Sequence, residues 1–272
     1  MGQKLGERLG QPFIVENRPG GGTTVAAQAV VDASADGYTL LLSNIASNGA
    51  APAVVKSARY DPVGDFTHVA LVGTSNLVLV ASAKSAVHTM ADIQRIAKEK
   101  NGIEIGISAN GGTSHLAGLR LASLGGFKLN NIPYRGSGPA QVAVLTGEVA
   151  LMVDAVVSQL PHVKSGAVRP IAVLSAKRDA SLPDTPTAAE LGLALDSEVW
   201  YGISGPKNLP AEITAQLNRE INAILKLPDV RKRYAELSAS APESTSVQFT
   251  AFVAKEVAAW RDIVKANNLS VD

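Results

Sequence analysis

The stretch ISANGGTSHLAGLRLAS, residues 107–123, contains the pattern that decides the fold. It predicts a strand that ends in a glycine-containing loop and leads into a helix. Glycines let the main chain approach a ligand closely, and the start of a helix favours a negative charge. The loop is therefore a candidate anion site, and its candidate residues are Gly111, Gly112, Thr113 and Ser114.

The same alternation of short β-branched runs and longer helical patterns continues along the chain. The strand candidates are residues 13–16, 38–43, 68–72, 77–81, 103–108, 128–133, 151–155, 169–175 and 199–204. The helical stretches are residues 23–33, 90–100, 114–124, 139–146 and 158–164, and the last third of the chain is helical. This order predicts an α/β fold with mainly parallel sheets, helices on both faces and a helical C-terminal region.

A second strand–loop–helix pattern lies at residues 132–146, and an apolar run ends at Asp154. Arg135, followed by Gly136, could hold a carboxylate through a bidentate pair, although many arginines are simply solvated. Asp154 is either a cap for the next helix or a group that faces a ligand. His115 also has two possible roles: it could be a hydrogen-bonding residue at a helix start, or it could contact a ligand.

A run of three glycines, residues 20–22, also precedes a helical stretch. It matches neither GxGxxG nor GxxxxGK[ST], so it is not a nucleotide-binding fingerprint. A tight turn and an anion-binding loop both remain possible interpretations.

Composition excludes several classes of function. With 272 residues the chain is long enough for two domains, and 46% of its residues are hydrophobic, so it can bury a core. The formal net charge is +1 and no long basic run occurs, so we expect no nucleic acid as a partner. The chain has no cysteine, which excludes thiol catalysis and thiolate metal sites.

Catalytic and metal motifs are also missing from the sequence. It contains no GxSxG elbow, and its four histidines show no HExxH spacing. We therefore expect no enzyme, no metal and no cofactor.

Several short segments, taken in order, resemble the substrate-binding proteins of tripartite tricarboxylate transporters, the Bug family. They are ENRPG at 16–20, DGYTL at 36–40, YDP at 60–62, GT at 112–113 with HLAG at 115–118, PYRG at 133–136, GEV at 147–149, PDTPT at 183–187 and WYG at 200–202. The resemblance covers nearly the whole chain.

The resemblance implies a two-domain periplasmic-binding-protein-like fold of type II, in which crossing strands join the domains and a ligand cleft lies between them. Domain 1 would comprise residues 1–80 and 197–272, and domain 2 residues 81–196. From domain 1, Ser43, Ala46, Ser47 and Asn48 would face the cleft, although Ser43 and Ser47 could instead cap turns. From domain 2, the loop at residues 111–114, Arg135, Gly136 and Asp154 would face it.

The resemblance implies a periplasmic protein that binds a small carboxylate: a dicarboxylate, a tricarboxylate, an acidic amino acid or an aromatic acid. It would deliver that ligand to the membrane subunits of a transporter, and we expect it to act as a monomer. The alternative is a ligand-dependent sensory protein that signals to a partner.

Two expectations concern the start of the sequence. Its first residues have no apolar stretch of the kind a signal peptide requires. Family members begin with a strand and a proline/glycine loop, which here would lie before Met1. Without that element we expect unpaired sheet edges and the loss of half of the anion site.

Overall fold

The structure is a computed structural model, and it describes residues 1–18, 20–50, 53, 55 and 58–266. Pro19 of the ENRPG motif lies outside the described residues. The chain divides into two compact units, unit 1 (Met1–Thr74 and Trp200–Asp272) and unit 2 (Ser75–Val199). It passes from one unit to the other within β2 (Phe66–Ser82) and returns within β7 (Glu198–Pro206). The sequence places these boundaries at residues 80/81 and 196/197.

Unit 2 is built on a five-stranded sheet. Its strands, in the order in which they pair, are β6 (Val168–Val173), β2, β5 (Leu151–Ala155), β3 (Ile103–Ile107) and β4 (Leu129–Pro133). β3 pairs in parallel with both β4 and β5. β2 is antiparallel to β5 and to β6, because the chain enters the unit along β2.

Helices cover both faces of this sheet. They are α3 (Met90–Glu99), α4 (Thr113–Gly125), α5 (Ser137–Thr146) and α6 (Val156–Lys164). Successive strand residues point to opposite faces: Leu79 belongs to the core formed with α3 and α4, and Val80 to the core formed with α5 and α6. The predicted α/β class with helices on both faces is therefore confirmed.

Unit 1 combines β1 (Leu41–Asn44), β7, the first half of β2 and the short β8 (Ala239–Ser240). β1 runs antiparallel to β7, and a single π-helical turn, Ile45–Ala50, follows it. The helices of this unit include α1 (Gly2–Leu9), α2 (Thr24–Val31), α7 (Ala211–Leu225), α8 (Pro228–Glu236) and α9 (Ser246–Ala266).

The three C-terminal helices confirm the predicted helical region. Pro210 is the N-cap of α7, and buried Leu217, Ile221 and Ile224 place that helix in the core. At the start of α9, Thr245 and Gln248 exchange hydrogen bonds of 2.9 and 3.1 Å, as a capping box requires. Within the described ranges, no helix is both long and apolar enough to cross a bilayer.

Three local predictions need correction. Residues 13–16 do not form a strand: Ile14 is 89% and Val15 81% exposed, and no described strand pairs with them. The two short strands predicted at 68–72 and 77–81 are one continuous strand, because Gly73–Asn76 keeps the extended conformation within β2. Helix α5 begins at Ser137, two residues before Pro139.

Arg169, on β6, fixes the turn that follows β2. Its guanidinium donates to the main-chain oxygens of Ser82 at 3.2 Å, Ala83 at 2.7 Å and Val87 at 2.9 Å. It also donates to the Ser85 oxygen at 3.2 Å. The five N–H donors of an arginine suit such a set of carbonyl oxygens.

The close contact between Gly202 of β7 and the ring of Phe249 gives a test of the unit 1 core. A Cβ atom at Gly202 would overlap the buried Phe249 ring, so Gly202→Ala must push that ring aside. We expect a loss of about 1–3 kcal/mol in the free energy of unfolding. Thermal melting of Gly202→Ala, compared with wild type, measures this loss.

Gly64→Ala is the matched control, since its added Cβ would make only an ordinary contact with Asp61 at 3.6 Å. Equal melting temperatures for the two variants would contradict the packing described here.

Candidate functional site

Three helices of unit 2 begin at the same edge of its sheet. α4, α5 and α6 each follow the strand that precedes them in the chain, β3, β4 and β5. Since these three strands are parallel neighbours, their carboxyl ends lie at one edge. The structure therefore gathers three helix N-termini beside one another.

In none of these three helices does the side chain of the N-cap residue cap the N-terminus. The N-cap residues Gly112, Gly136 and Ala155 make no side-chain capping bond, and the first turns contain no acidic residue. The free N–H groups and the helix dipoles consequently favour an anion at this edge.

Helix α3, which starts at the opposite edge, shows the contrast. It follows β2, the strand antiparallel to β5. Its start carries a complete capping box, in which Thr89 and Asp92 each accept a hydrogen bond from the other's main chain. The N-terminus of α3 is thus fully capped at the edge with no predicted role, whereas α4, α5 and α6 lack side-chain caps at the edge where the sequence predicts an anion site.

The predicted loop residues lie at the start of α4. Gly112 is the N-cap, Thr113 is the first helical residue, and Gly111 has a left-handed φ of 71°. The Ser114 hydroxyl accepts the Ser108 N–H at 3.1 Å and lies 3.0 Å from the Ser108 hydroxyl. Ser114 therefore shapes the loop from within, and Thr113 is its more exposed hydroxyl.

His115 is a hydrogen-bonding residue at the helix start. Its Nδ1 accepts the N–H of Gly111 at 3.0 Å, which places the ring proton on Nε2. Burial lowers the pKa of His115, so the ring is neutral at pH 7.

Arg135 and Gly136 lie between β4 and α5. The Gly136 N–H donates to the Ser108 oxygen at 2.8 Å, and its φ of 111° turns the chain into the helix. Arg135 is exposed, and within the described parts of the chain its side chain has no hydrogen bond or ion pair. It is a free cation at the edge where the three helices begin.

Asp154 is the next-to-last residue of β5. Its Oδ1 accepts the N–H of Ala155 at 2.8 Å, and its buried Oδ2 has no hydrogen-bond partner among the described residues. Burial raises the pKa of the Asp154 carboxyl, while the Ala155 N–H and the side chain of Gln159 act in the opposite direction.

The residues predicted from unit 1 are buried, and the three polar ones have hydrogen-bond partners. Ser43, Ala46, Ser47 and Asn48 are all at most 4% exposed. The Ser47 hydroxyl donates to Asn48 Oδ1 at 2.8 Å and accepts the Asn44 N–H at 3.0 Å. Asn48 Nδ2 donates to the Pro62 oxygen at 3.2 Å. These polar groups stabilise the turn after β1, and their role toward a ligand stays a prediction.

Ser43 opens a buried chain of hydrogen bonds. Its hydroxyl lies 3.0 Å from that of Ser204, which lies 2.9 Å from His68 Nδ1, and His68 Nε2 lies 3.1 Å from the Pro62 oxygen. A carbonyl oxygen only accepts, so Nε2 donates and Nδ1 accepts. The two hydroxyls therefore donate in one direction, from Ser43 to Ser204 to His68.

Several of these groups give no signal in the sequence. Ser108 lies in the strand–loop segment but is not predicted as a site residue. Gln141 on α5 and Gln159 on α6 donate to each other at 3.2 and 2.6 Å, and Ser204 joins Ser43 and His68 from 161 and 136 residues away. Only the pairing of distant elements brings them together. Among the described residues, no group of acidic or histidine side chains could hold a metal ion.

Comparisons with known proteins agree with this architecture. The fold has a TM-score of 0.92 with the periplasmic binding protein BugD, at 28% identity, covering 99% of this chain and 91% of that one. It also has a TM-score of 0.92 with MatC of Rhodopseudomonas palustris, whose structure has malate bound, at 30% identity and 97% and 91% coverage. The fold is that of periplasmic solute-binding proteins.

The family follows from the sequence comparisons. The profile of the TctC family, described as the tripartite tricarboxylate transporter family receptor, matches residues 1–269. Protein BugT of Bordetella pertussis is 33% identical over 268 residues, which cover 97% of this chain and 82% of BugT. This chain belongs to the tripartite tricarboxylate transporter receptor family.

The buried state of His68 predicts a loss of stability in mild acid. Burial lowers its pKa from 6.5 to about 4. Between these values the unfolded chain binds a proton that the folded chain does not, so stability is complete above pH 6.5 and falls as the pH drops towards 4. The loss approaches about 1.4 kcal/mol per pH unit. Urea unfolding between pH 5 and 7 measures it.

His68→Gln should flatten this dependence, whereas His88→Gln, on an exposed side chain, should leave it unchanged. An unaltered slope in His68→Gln would show that other groups cause the acid sensitivity.

Proposed function

We propose that this protein captures a small organic carboxylate in the periplasm and delivers it to the membrane subunits of a tripartite tricarboxylate-type transporter. The observation that carries the proposal is the group of three uncapped helix N-termini, α4, α5 and α6, with the free cation of Arg135 at the same edge. Membership of the receptor family and the malate bound to MatC support the ligand class, and the likeness to the periplasmic binding protein BugD supports the location.

One carboxylate group of the ligand binds at this edge of unit 2. The first N–H groups of α4 and α6 and those of Ser137 and Gly138 on α5 donate to its oxygens, because no side chain caps these helices. The hydroxyl of Thr113 adds a donor, and Arg135 supplies the full positive charge.

A thermal-shift screen of the chain tests the function. The panel comprises dicarboxylates, tricarboxylates, acidic amino acids and aromatic acids. A ligand at 100 times its dissociation constant stabilises a protein by about 2.7 kcal/mol, which raises the melting temperature by several degrees. If no acid raises it and calorimetric titration detects no binding, the proposal fails.

Arg135 provides the sharper test. Arg135→Gln removes the charge from the proposed anion site and should weaken binding of the best acid tenfold or more, since a charge-assisted hydrogen bond contributes about 1.5–3 kcal/mol. The affinity of Arg135→Lys for this acid should lie between those of wild type and Arg135→Gln, because an ammonium group keeps the charge but cannot make the bidentate pair. Isothermal titration calorimetry measures the three affinities.

Arg95→Gln is the matched control: Arg95 lies on α3 and pairs with Asp92 and Glu99, away from the uncapped helix starts. Equal affinities for Arg135→Gln and wild type would exclude Arg135 from the site.

A further inference from the structure

The carboxyl group of Asp154 has one oxygen that the described residues leave without a donor. Oδ1 accepts the Ala155 N–H, while Oδ2 is buried without a partner. A buried oxygen in this state costs free energy, since it has lost its water and gained nothing in return. A hydrogen-bond donor to Oδ2 would therefore stabilise the structure, and the described residues do not provide one.

The amides of Gln141 and Gln159 make no hydrogen bond to this oxygen. Gln159, fully buried on α6, donates through Nε2 to Gln141 Oε1 at 2.6 Å and points the same nitrogen towards Met152 Sδ at 3.8 Å. Gln141 donates back to Gln159 at 3.2 Å. This reciprocal pair uses one N–H of each amide, and the Gln159 side chain lowers the pKa of the Asp154 carboxyl without making a hydrogen bond to Oδ2.

The position of Asp154 brings it to the edge where the ligand carboxylate is proposed to bind. The register that pairs Gly106 with Met152 sets Ser108 and Asp154 at the same level on neighbouring strands, about 4.8 Å apart. Ser108 begins the loop that opens α4, and Asp154 immediately precedes the N-cap of α6. Because side chains alternate along β5, Asp154 shares the face of Met152, which packs with α5 and α6.

A carboxylate in this place discriminates among anionic ligands. Two like charges held next to each other at a partly buried site repel more strongly than they would in water. A plain dicarboxylate would meet this repulsion without compensation. An acid with a hydroxyl or ammonium group next to its carboxylate would instead donate to Oδ2 and satisfy it.

We propose that Asp154 makes this site select organic acids that carry a hydroxyl or ammonium group on the carbon next to a carboxylate. The proposal rests on the function proposed above and deepens it, since it names the feature by which one carboxylate is preferred to another. Oδ2 of Asp154 accepts the donor of the ligand, and the α4–α6 helix starts hold the adjacent carboxylate.

Matched pairs of acids that differ only in the donor provide the test. Calorimetric titrations of the full chain compare malate and aspartate with succinate, glutamate with glutarate, citrate with tricarballylate, and mandelate with phenylacetate. In every pair that binds, the donor-bearing acid should bind at least tenfold more tightly. A further comparison uses 2-fluorosuccinate, which replaces the malate hydroxyl by a group of similar size that cannot donate, and which should bind as weakly as succinate.

Asp154→Asn then assigns the preference to this residue. The substitution keeps the size of the side chain and removes its charge, so the preference should fall at least tenfold while the plain acid binds as well as before or better. Asp184→Asn, on an exposed aspartate of the same unit, is the control that should change neither affinity.

The outcomes separate the two proposals. If acids bind but the donor-bearing and donor-free members have equal affinities, or if the preference survives in Asp154→Asn, the role of Asp154 is overturned and the carboxylate-binding function stands. If no acid of the panel binds the wild-type chain, the function itself is wrong. Should Asp154→Asn fail to fold, the fluorosuccinate and malate affinities of the wild-type chain still decide whether the site requires a donor.

Discussion

β2 belongs to the sheets of both units, and the rest of the structure depends on how its main chain is paired. Its seventeen residues are almost continuously buried, so their N–H and C=O groups need partners on both sides. In unit 1 these partners come from β7 and β8, and in unit 2 from β5 and β6. A shift in the register of this one strand would turn the core residues of two sheets towards the wrong face. The register of β2 against β6 shifts between Leu79 and Val80, and this shift lies within unit 2.

The two units treat their buried polar groups in opposite ways. In unit 1 the line from Ser43 through Ser204 to His68 ends on a carbonyl oxygen, so each hydroxyl and ring nitrogen has a partner. In unit 2 the N-cap residues of the helices after β3, β4 and β5 make no side-chain capping bond, and Asp154 has an oxygen without a donor among the residues that the structure describes. Satisfied networks make a fold rigid, whereas unsatisfied groups that converge on one edge are typical of a place where a ligand completes the hydrogen bonding.

Local signals explain how much of this could be predicted from the sequence. The strand–glycine–helix pattern at residues 107–123 is contiguous, so the loop and a helix over residues 114–124 could be predicted without any knowledge of distant residues; the observed helix begins one residue earlier, at Thr113. The bounds predicted for β5, residues 151–155, agree with the structure, because a short and mostly apolar run is typical of a strand that is buried on both faces.

The failures have an equally physical origin. Residues 13–16 have strand-forming composition, but no described strand pairs with them, and an extended segment without a partner is not a strand. The hydrogen bond between Ser43 and Ser204 joins residues 161 positions apart, and no local pattern records such a pairing. The resemblance predicts that Ser47 and Asn48 face a ligand, and this stays a prediction; the hydrogen bonds of their side chains to Asn44, to each other and to Pro62 carry no local sequence signal.

The guanidinium of Arg169 has a consequence for how the chain tolerates change. Within the described parts of the chain its acceptors are all main-chain oxygens, those of Ser82, Ala83, Ser85 and Val87. These hydrogen bonds therefore depend on the main-chain conformation of the segment and not on its side chains. The sequence of the turn after β2 can vary while the turn remains hydrogen-bonded to β6. Because no carboxylate takes part, neither acid nor a change of partner charge would release this attachment.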